Sequence, residues 1–254
     1  MGIESERFAR LRLVLRDEGL QKLQDATVMV LGLGGVGSAC AEALARGGVG
    51  NLIVLDRDVV EESNINRQAL AFTSTLGKVK AQVMEGMIKE IQPDCKVIAE
   101  QIFLTPQNIA ETLGQFPRPD YVIDCIDTIS QKLAVYRWAA ENNLNLLASM
   151  GAANRLDPTM LEFANIRKTY NCSMSRVIRS ECKKRGIYGL EVLFSTELPF
   201  AVEKTGGNTK GETLGSMSYM PPIMGQMLAG RVIRQLAGME EIQAPPYLAP
   251  QPGE

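Results

Sequence analysis

The sequence contains no histidine among its 254 residues. This absence excludes Ser-His-Asp and Cys-His nucleophilic sites, histidine general bases and His-ligated zinc. The five cysteines, Cys40, Cys95, Cys125, Cys172 and Cys182, are odd in number and include no CxxC pair. We therefore expect neither a disulfide scaffold nor a four-cysteine zinc site. Any chemistry must use carboxylates, lysine, arginine, a single thiol or the backbone.

Long apolar runs and an excess of positive charge are also missing. The net charge of -2 gives no global field that would attract nucleic acid, so any such contact must be local. The first 16 residues lack an apolar stretch long enough for a signal peptide, and the apolar stretch 221–239 is interrupted by Arg231 and Arg234. We therefore expect a cytoplasmic protein without stable membrane insertion.

Strand-like and helix-like segments alternate through the first 150 residues. Apolar runs predict strands at 27–33, 51–56, 96–101, 121–126 and 144–149, and amphipathic spacing predicts helices at 38–46, 77–91, 128–142 and from Thr105-Pro106. This order predicts an α/β fold, Rossmann-like, with a mostly parallel sheet and helices on both faces. We expect one domain over 1–254, with N-terminal helices at 1–24 and a nucleotide-binding core at 25–150.

The remaining part, 151–254, is expected to be a smaller, mixed strand and helix half. Strands are predicted at 159–166 and 190–196, a basic helix at 173–184, a glycine-rich loop at 205–215 and a closing helix at 221–236. The purpose of the loop stays open.

A glycine motif follows the first predicted strand and opens a helix. Gly32, Gly34 and Gly37 form GxGxxG, and Asp56 ends the next strand 19 positions after Gly37. Such a turn offers backbone N–H groups and a helix dipole to phosphates, and the carboxylate accepts hydrogen bonds from a ribose. The motif predicts a nucleotide site, but a nicotinamide dinucleotide and ATP both fit it.

Neighbouring charges favour a triphosphate. Arg67 and Lys80 could neutralise the charge that builds on a departing pyrophosphate. Asp127 follows the fourth strand, at the sheet edge where parallel sheets bind ligands, and a carboxylate beside phosphates is a natural Mg²⁺ ligand. The alternative is that Asp127 caps the helix that begins at Thr128.

Five motifs in order resemble the ubiquitin-activating-enzyme-like adenylating superfamily of the ThiF, MoeB and HesA type. They are GxGGxG, Asp56-Arg57-Asp58, Ser-Asn-x-x-Arg-Gln from Ser63, Gly-x-x-Lys from Gly77, and Asp-Cys-x-Asp from Asp124. The resemblance implies attack of a carboxylate on ATP to give an acyl-adenylate, with Mg²⁺. One position departs, because Thr128 stands where many members have asparagine.

The resemblance also assigns the site, and it implies that 151–254 is the half that binds substrate and forms a dimer. Arg10, Arg67, Lys80 and Asp127 are the implied catalytic residues, with Arg10 entering from the other subunit of a homodimer and Asp127 holding the metal. The implied nucleotide-binding residues are Gly32, Gly34, Gly35, Gly37, Asp56, Asp58, Asn64, Asn66, Arg67, Gln68, Lys80 and Asp127.

The second half resembles a narrower branch, the tRNA threonylcarbamoyladenosine dehydratases. The matches are Lys168-Thr169, Arg185-Gly186-Ile187 and Phe194-Ser195-Thr196-Glu197. They imply adenylation of the threonyl carboxylate on the modified adenosine beside the anticodon, ring closure by the carbamoyl group and loss of AMP. A sulfurtransferase or sulfur-carrier protein is a further partner that the resemblance admits. The alternative in the same chemistry is an adenylyltransferase for the Gly-Gly carboxylate of a ubiquitin-like sulfur carrier.

The stretch 167–185 carries a net charge of +6 in an acidic protein. It predicts a tRNA-facing patch, although a solvated helix face or a surface for an acidic protein fits the same charge. Cys172 precedes the basic helix, where it is either a packed small side chain or a nucleophile for an acyl-adenylate.

Two functions outside this chemistry also fit part of the sequence. An NAD-dependent oxidoreductase is supported only by the glycine motif and Asp56. A module that binds a nucleotide without reaction would not need the cations and the carboxylate at Arg67, Lys80 and Asp127, so these residues favour an enzyme.

Overall fold

The structure is a computed structural model that describes residues 4–202 and 214–239. Its helices are α1 (Ala9–Asp25), α2 (Gly35–Arg46), α3 (Lys80–Ile91), α4 (Ile109–Gly114), α5 (Ile129–Glu141), α6 (Ser173–Lys184) and α7 (Met220–Leu236). Its strands are β1 (Thr27–Leu31), β2 (Asn51–Asp56), β3 (Lys96–Gln101), β4 (Tyr121–Asp124), β5 (Asn145–Ser149), β6 (Leu161–Asn165) and β7 (Glu191–Ser195).

The strands form one seven-stranded sheet in the order β3-β2-β1-β4-β5-β7-β6. All neighbours are parallel except β6, which runs antiparallel to β7. The predicted α/β fold with a mostly parallel sheet is confirmed, and the strands of the second half extend the same sheet. The strand order reverses between β1 and β4, which is the switch point where open parallel sheets bind ligands beyond the carboxyl ends of their strands.

Alternate residues of the buried strands face two separate apolar cores. Val28 and Val30 of β1 pack with α2, α3 and α7, whereas Met29 and Leu31 pack with α4, α5 and α6 on the opposite face. All four side chains are completely buried. Because both faces are covered, β1 reads as a continuous apolar run instead of an alternating one.

Helix α7 supports the helix that follows the glycine motif. A Cβ added at Gly225 would lie 2.2 Å from the carbonyl oxygen of Val36, so the two helix backbones are in direct contact there. At the start of α7, Pro221 Cβ lies 2.8 Å from the position of a Cβ added at Gly35. The last described helix therefore fixes the first residue of α2.

Two sequence expectations are refined by the structure, and a third falls largely outside the described residues. The regular part of the helix predicted from Thr105-Pro106 is Ile109–Gly114. Thr105 nevertheless makes the reciprocal bonds of a capping box, since Thr105 N donates to Asn108 Oδ1 (2.7 Å) and Asn108 N to Thr105 Oγ1 (3.2 Å), and Ile109 N donates to Thr105 O (3.1 Å). Helix α1 bends at Arg16, whose φ is 58°. The predicted loop 205–215 lies outside the described residues up to 213.

No helix within 4–202 and 214–239 has the length and apolar character needed to cross a membrane.

Candidate adenylation site

The glycine turn joins β1 to α2 at the switch point. Gly32 has a φ of +86°, a left-handed conformation that glycine adopts without strain, and its N–H donates to Leu55 O at 2.8 Å. Gly37 packs on this turn so tightly that an added Cβ would lie 1.7 Å from Gly32 O. A Cβ added at Gly34, the N-cap of α2, meets no atom within 4 Å. The turn is therefore closed towards the protein at Gly37 and open on the side of Gly34.

Asp56 joins the glycine turn to the end of β2. Its Oδ2 accepts from Leu33 N at 2.5 Å and its Oδ1 from Asp58 N at 2.7 Å. A carboxylate has about four lone-pair sites, so both oxygens keep acceptor capacity for ribose hydroxyls. The structure thus places Asp56 beside the glycine turn, as the motif predicted.

Lys80 and Asp58 lie next to that edge. Lys80 is almost fully buried, its backbone N–H donates to Asp58 O at 3.1 Å, and its ammonium lies 3.4 Å from the half-exposed carboxylate of Asp58. An antiparallel bridge between Val59 and Val79 holds the two segments together. The aliphatic part of the Lys80 side chain is thus buried, and its ammonium group lies next to the half-exposed Asp58 carboxylate.

The segment 63–68 divides into residues that face the turn and residues that hold the segment. The stem of Arg67 lies against Gly35, with Cγ 3.1 Å from the position of an added Cβ, and its guanidinium donates to Ser63 O (2.9 Å) and Asn66 Oδ1 (2.8 Å). Asn66 is exposed and donates to Ser216 O at 3.1 Å. Arg67 thus lies half-buried beside the start of α2, with its guanidinium bonded within its own segment.

Asn64 and Gln68, by contrast, are buried. Asn64 Oδ1 accepts from Glu61 N at 3.1 Å, and Gln68 N donates to Asn64 O at 3.0 Å. The side chain of Asn64 stabilises the segment that carries Arg67, whereas the buried Oε1 of Gln68 has no hydrogen-bond partner among the described residues. A part of either residue in nucleotide binding stays a prediction.

Asp127 lies in the loop between β4 and α5. Its side chain is exposed and accepts from Thr128 Oγ1 at 3.2 Å. The helix begins at Ile129 with Thr128 as N-cap and has no side-chain cap hydrogen bond. Asp127 does not cap α5, so the structural alternative for this carboxylate loses its support. The same loop contacts the glycine turn, since a Cβ added at Gly32 would lie 3.0 Å from Cys125 O.

Arg10 lies on the exposed side of α1 and makes no hydrogen bond or ion pair with the part of the chain that the structure describes. Leu13 and Val14, three and four residues further on, are 84% and 66% exposed. Residues at this spacing share one helix face. Arg10 therefore belongs to a surface that includes an uncovered apolar pair.

No sequence motif assigns a role to Ser38 or Lys132, and Asp124 enters only as the first residue of the Asp-Cys-x-Asp motif. Ser38 is buried; its hydroxyl donates to Gly34 O (2.7 Å) and accepts from Ala69 N (3.0 Å), which ties the glycine turn to the segment that carries Arg67. Asp124 and Lys132 form a fully buried ion pair of 2.8 Å below the Asp127 loop. Ser38 follows GxGxxG directly and Asp124 opens the Asp-Cys-x-Asp motif, so sequence inspection could single out both, whereas Lys132 lies in no motif.

The basic stretch carries less free charge than its composition indicates. Arg179 donates to Thr169 O (2.6 Å) and Thr169 Oγ1 (2.9 Å), and Glu181 pairs with Lys184 and Arg185. Hydrogen bonds from Lys184 and Arg185 lower the pKa of Glu181 to about 2, so this carboxylate is ionised at any physiological pH.

The basic residues left unpaired by these contacts are Arg167, Lys168, Arg176 and Lys183. The guanidinium of Arg167 lies over the ring of the exposed Tyr188, with Cζ 5.7 Å from the ring centroid.

Cys172 is the N-cap of α6 and is buried, with its sulfur accepting from Ser175 N at 3.5 Å. Desolvation raises the pKa of this thiol, but hydrogen bonds from Ser175 and from the Gly151 N–H, together with the charge of Arg155, outweigh it and lower the pKa below its usual value. The neighbouring Arg155 is itself buried and donates to Asn171 O at 2.6 Å and to Glu197 O.

No cluster of three or more cysteine or acidic side chains that could hold a metal ion occurs in residues 4–202 and 214–239. A cavity of about 730 Å³ lies beside α3, lined among others by Lys78, Val83 and Met87, and it does not include the glycine turn. The candidate site lies beyond the carboxyl ends of β1, β2 and β4, where the glycine turn is open at Gly34.

Residues 6–251 match the model of the ThiF family. The chain is 39% identical to a Bacillus subtilis tRNA threonylcarbamoyladenosine dehydratase over 249 residues, which cover 93% of this chain and 96% of that protein. It also resembles the crystal structure of the Escherichia coli tRNA N6-threonylcarbamoyladenosine dehydratase in complex with ATP, with a TM-score of 0.82, 30% identity and coverage of 92% and 94% of the two chains. The complex of that protein with AMP gives a TM-score of 0.83.

A more distant relative is the adenylyltransferase and sulfurtransferase UBA4 of Candida glabrata. It is 28% identical over 193 residues, which cover 73% of this chain but only 44% of that protein.

Proposed function

The chain belongs to the ThiF family of adenylating enzymes, and from that premise we propose that it is an ATP-dependent tRNA threonylcarbamoyladenosine dehydratase. The observation that supports the proposal is that the Gly32 turn packs against Cys125 and Ile126 at the switch point of the sheet, so that the glycine turn and the loop that carries Asp127 meet there. Similarity over nearly the whole length of the dehydratases supports the tRNA substrate.

The first chemical step needs little from the protein beyond placement and charge. An oxygen of the threonyl carboxylate attacks the α-phosphorus of ATP, the bond from that phosphorus to the bridging oxygen breaks, and pyrophosphate leaves. The carboxylate is already ionised at neutral pH, so no general base is required, which agrees with a chain that lacks histidine. Arg67 and Lys80 are the cations that we assign to the phosphate chain.

The second step closes the ring. The carbamoyl group of the same nucleoside attacks the acyl carbon, the bond from that carbon to the AMP oxygen breaks, and one proton is released. The nucleoside loses the elements of water overall, while ATP becomes AMP and pyrophosphate. The Escherichia coli relative has been crystallised with ATP, which is the nucleotide at the start of this reaction, and with AMP, which is the nucleotide at its end.

Asp127 fits a magnesium ion that is shared with the nucleotide. Mg²⁺ is usually held by one or two carboxylates together with substrate phosphates and waters, so a single exposed carboxylate suffices. When bound, the ion would supply positive charge to the phosphate oxygens. Asp127 would hold it at the edge next to the glycine turn.

We further propose a homodimer in which Arg10 enters the partner's site. Its guanidinium has no partner among the described residues of its own chain, and the exposed Leu13 and Val14 on the same face supply apolar surface for a contact. A large apolar pair at this level of exposure is better explained by a covered interface than by a solvated surface. The interface would then complete the active site.

The surface around α6 is our candidate for the tRNA. Four cations have no ion-pair partner within 4–202 and 214–239: Arg167, Lys168, Arg176 and Lys183. The exposed Tyr188 beside Arg167 offers a ring on which a base could stack. Paired charges contribute little to phosphate binding, so Lys184 serves as a matched control for Lys183. The double substitution Arg176→Glu with Lys183→Glu should weaken tRNA binding at least tenfold and flatten its salt dependence, whereas Lys184→Glu should change it less than threefold.

A sulfur-carrier substrate is the second candidate, because the UBA4 adenylyltransferase and sulfurtransferase is similar in sequence to this chain over 193 residues. The experiment that separates the two is pyrophosphate release by the purified protein with either modified tRNA or a carrier protein ending in Gly-Gly. Release that requires the tRNA supports the dehydratase. Release that requires only the carrier protein replaces it.

A further inference from the structure

A buried ion pair lies directly beneath the Asp127 loop. Lys132, in the first turn of α5, and Asp124, the last residue of β4, are both 0% exposed, and Lys132 Nζ lies 2.8 Å from Asp124 Oδ2. A pair of opposite charges in such a position is seldom more stable than apolar residues of the same size. We therefore look for the role of this ion pair in the positions of the residues around it and not in the stability of the fold.

The pair holds both polar groups of one residue of the loop. Ile126 N donates to Asp124 Oδ1 at 3.0 Å, and Ile126 O accepts from Lys132 Nζ at 2.8 Å. Asp124 is itself fixed at the end of the central sheet, where Ser149 Oγ donates to its carbonyl oxygen at 3.3 Å. The two charged side chains thus hydrogen-bond to the backbone of Ile126, Asp124 from the end of β4 and Lys132 from α5. We call this arrangement of Asp124, Ile126 and Lys132 the loop clamp.

The loop clamp sets the distance between the glycine turn and the Asp127 loop. A Cβ added at Gly32 would lie 3.0 Å from Cys125 O and 3.2 Å from Ile126 N, so the clamped peptide packs against the turn without spare room. Asp127 is the next residue along the chain. A movement of Ile126 would carry Asp127 away from the turn.

We propose that Lys132 is a positioning residue of the adenylation reaction, which holds the Asp127 carboxylate in register with the glycine turn. The proposal rests on the proposed function, in which Asp127 holds the magnesium ion. A lysine suits this task because its long stem reaches from the helix to the loop and its ammonium donates to a carbonyl while it pairs with a carboxylate. An apolar side chain could fill the volume but would leave Ile126 O unbound.

The test separates positioning from stability with three variants. Lys132→Met alone leaves the Asp124 carboxylate buried without a counter-charge and should lower the Tm by roughly 10 °C. Asp124→Asn combined with Lys132→Met removes both charges, keeps an acceptor for Ile126 N and should melt within about 5 °C of the wild type. Arg137→Met is the matched control, because Arg137 lies on the same helix and pairs with Glu141 at the surface (2.8 Å).

The double variant is expected to bind ATP within about threefold of the wild type. Its kcat for tRNA-dependent pyrophosphate release should fall about 30- to 100-fold, the loss that a displacement of about 1 Å produces. The Mg²⁺ concentration for half-maximal rate should rise, and amide hydrogen exchange should become faster at residues 126–128. The Arg137→Met control should match the wild type in all four measurements.

A double variant that is stable and keeps its kcat within threefold would overturn the proposal, because the pair would then be structural only. Equal losses of ATP binding and kcat would overturn it as well, since they would indicate general damage to the crevice. If the wild type itself releases no pyrophosphate with tRNA, the proposed function fails instead. The hydrogen-exchange comparison then decides whether Lys132 holds the loop, and unchanged exchange would refute the clamp.

Discussion

Gly34→Ala separates the stability of the fold from the binding of the nucleotide. Gly34 is the N-cap of α2 and has a φ of -68°, which alanine adopts readily. An added Cβ meets no atom within 4 Å, whereas the same addition at Gly37 would lie 1.7 Å from Gly32 O. The new methyl group would therefore project into the open side of the turn, where we expect the phosphates.

The two expected effects differ in size. Alanine is a poorer N-cap than glycine but also restricts the unfolded chain, so the free energy of unfolding should change by less than about 1 kcal/mol. The loss of one hydrogen bond from a turn N–H to a charged phosphate oxygen costs about 1.5–3 kcal/mol. The Kd for ATP should then rise by roughly 10- to 100-fold.

Isothermal titration calorimetry with magnesium and ATP measures the affinity, and a thermal melt measures the stability. Gly230→Ala is the matched control, because a Cβ added at this position of α7 also meets nothing within 4 Å. The control should bind ATP like the wild type. If Gly34→Ala binds ATP within twofold at an unchanged Tm, the glycine turn does not approach the phosphates and the reasoning is wrong.

Three further predictions address the dimer, a thiol and a helix contact. A mixture of the inactive variants Arg10→Ala and Asp127→Ala should regain about a quarter of the wild-type pyrophosphate release, because half of the randomly formed dimers contain one complete site; no recovery after subunit exchange would contradict an arginine supplied in trans. Alkylation followed by mass spectrometry from pH 6 to pH 10 should show Cys172 reacting at lower pH than Cys95, whose pKa burial raises to about 11; the opposite order would refute the assigned environment. Gly225→Ala should lower the free energy of unfolding by about 1–3 kcal/mol in a denaturant titration, since its Cβ would meet the α2 backbone at 2.2 Å; an unchanged midpoint would mean that the helices separate without cost.

The fold was predictable from local pattern because the strands of a covered parallel sheet are continuous apolar runs. The bounds of β2, Asn51–Asp56, and of α6, Ser173–Lys184, coincide with the predicted ones. The turn at Gly32 was predictable for a related reason, since its spacing is dictated by backbone conformation and close packing. At α4 the cap at Thr105 was predictable, and Thr105 does make capping bonds with Asn108, but the regular helix begins only at Ile109.

The candidate site was predictable only where a motif names its residues. The bond from Ala69 N to the Ser38 hydroxyl joins residues 31 positions apart, and the pair of Asp124 and Lys132 spans a loop and a helix start. Such contacts depend on how the helices and strands pack against each other, which the local hydrophobic periodicity of a sequence does not show. The hydrogen bond from Arg179 to Thr169 O likewise depends on the fold of the preceding loop. A count of charges in the sequence therefore overstates the number of free cations on this surface.

The central claim is that this crevice splits ATP between its α- and β-phosphorus atoms to dehydrate a modified tRNA nucleoside. The most direct measurement combines the purified protein with ATP, Mg²⁺ and tRNA that carries threonylcarbamoyladenosine, and follows pyrophosphate together with the mass of the nucleoside. We expect one pyrophosphate for each nucleoside that loses the mass of one water. Pyrophosphate that forms without any change in the nucleoside, or a nucleoside that changes without ATP, would contradict the account.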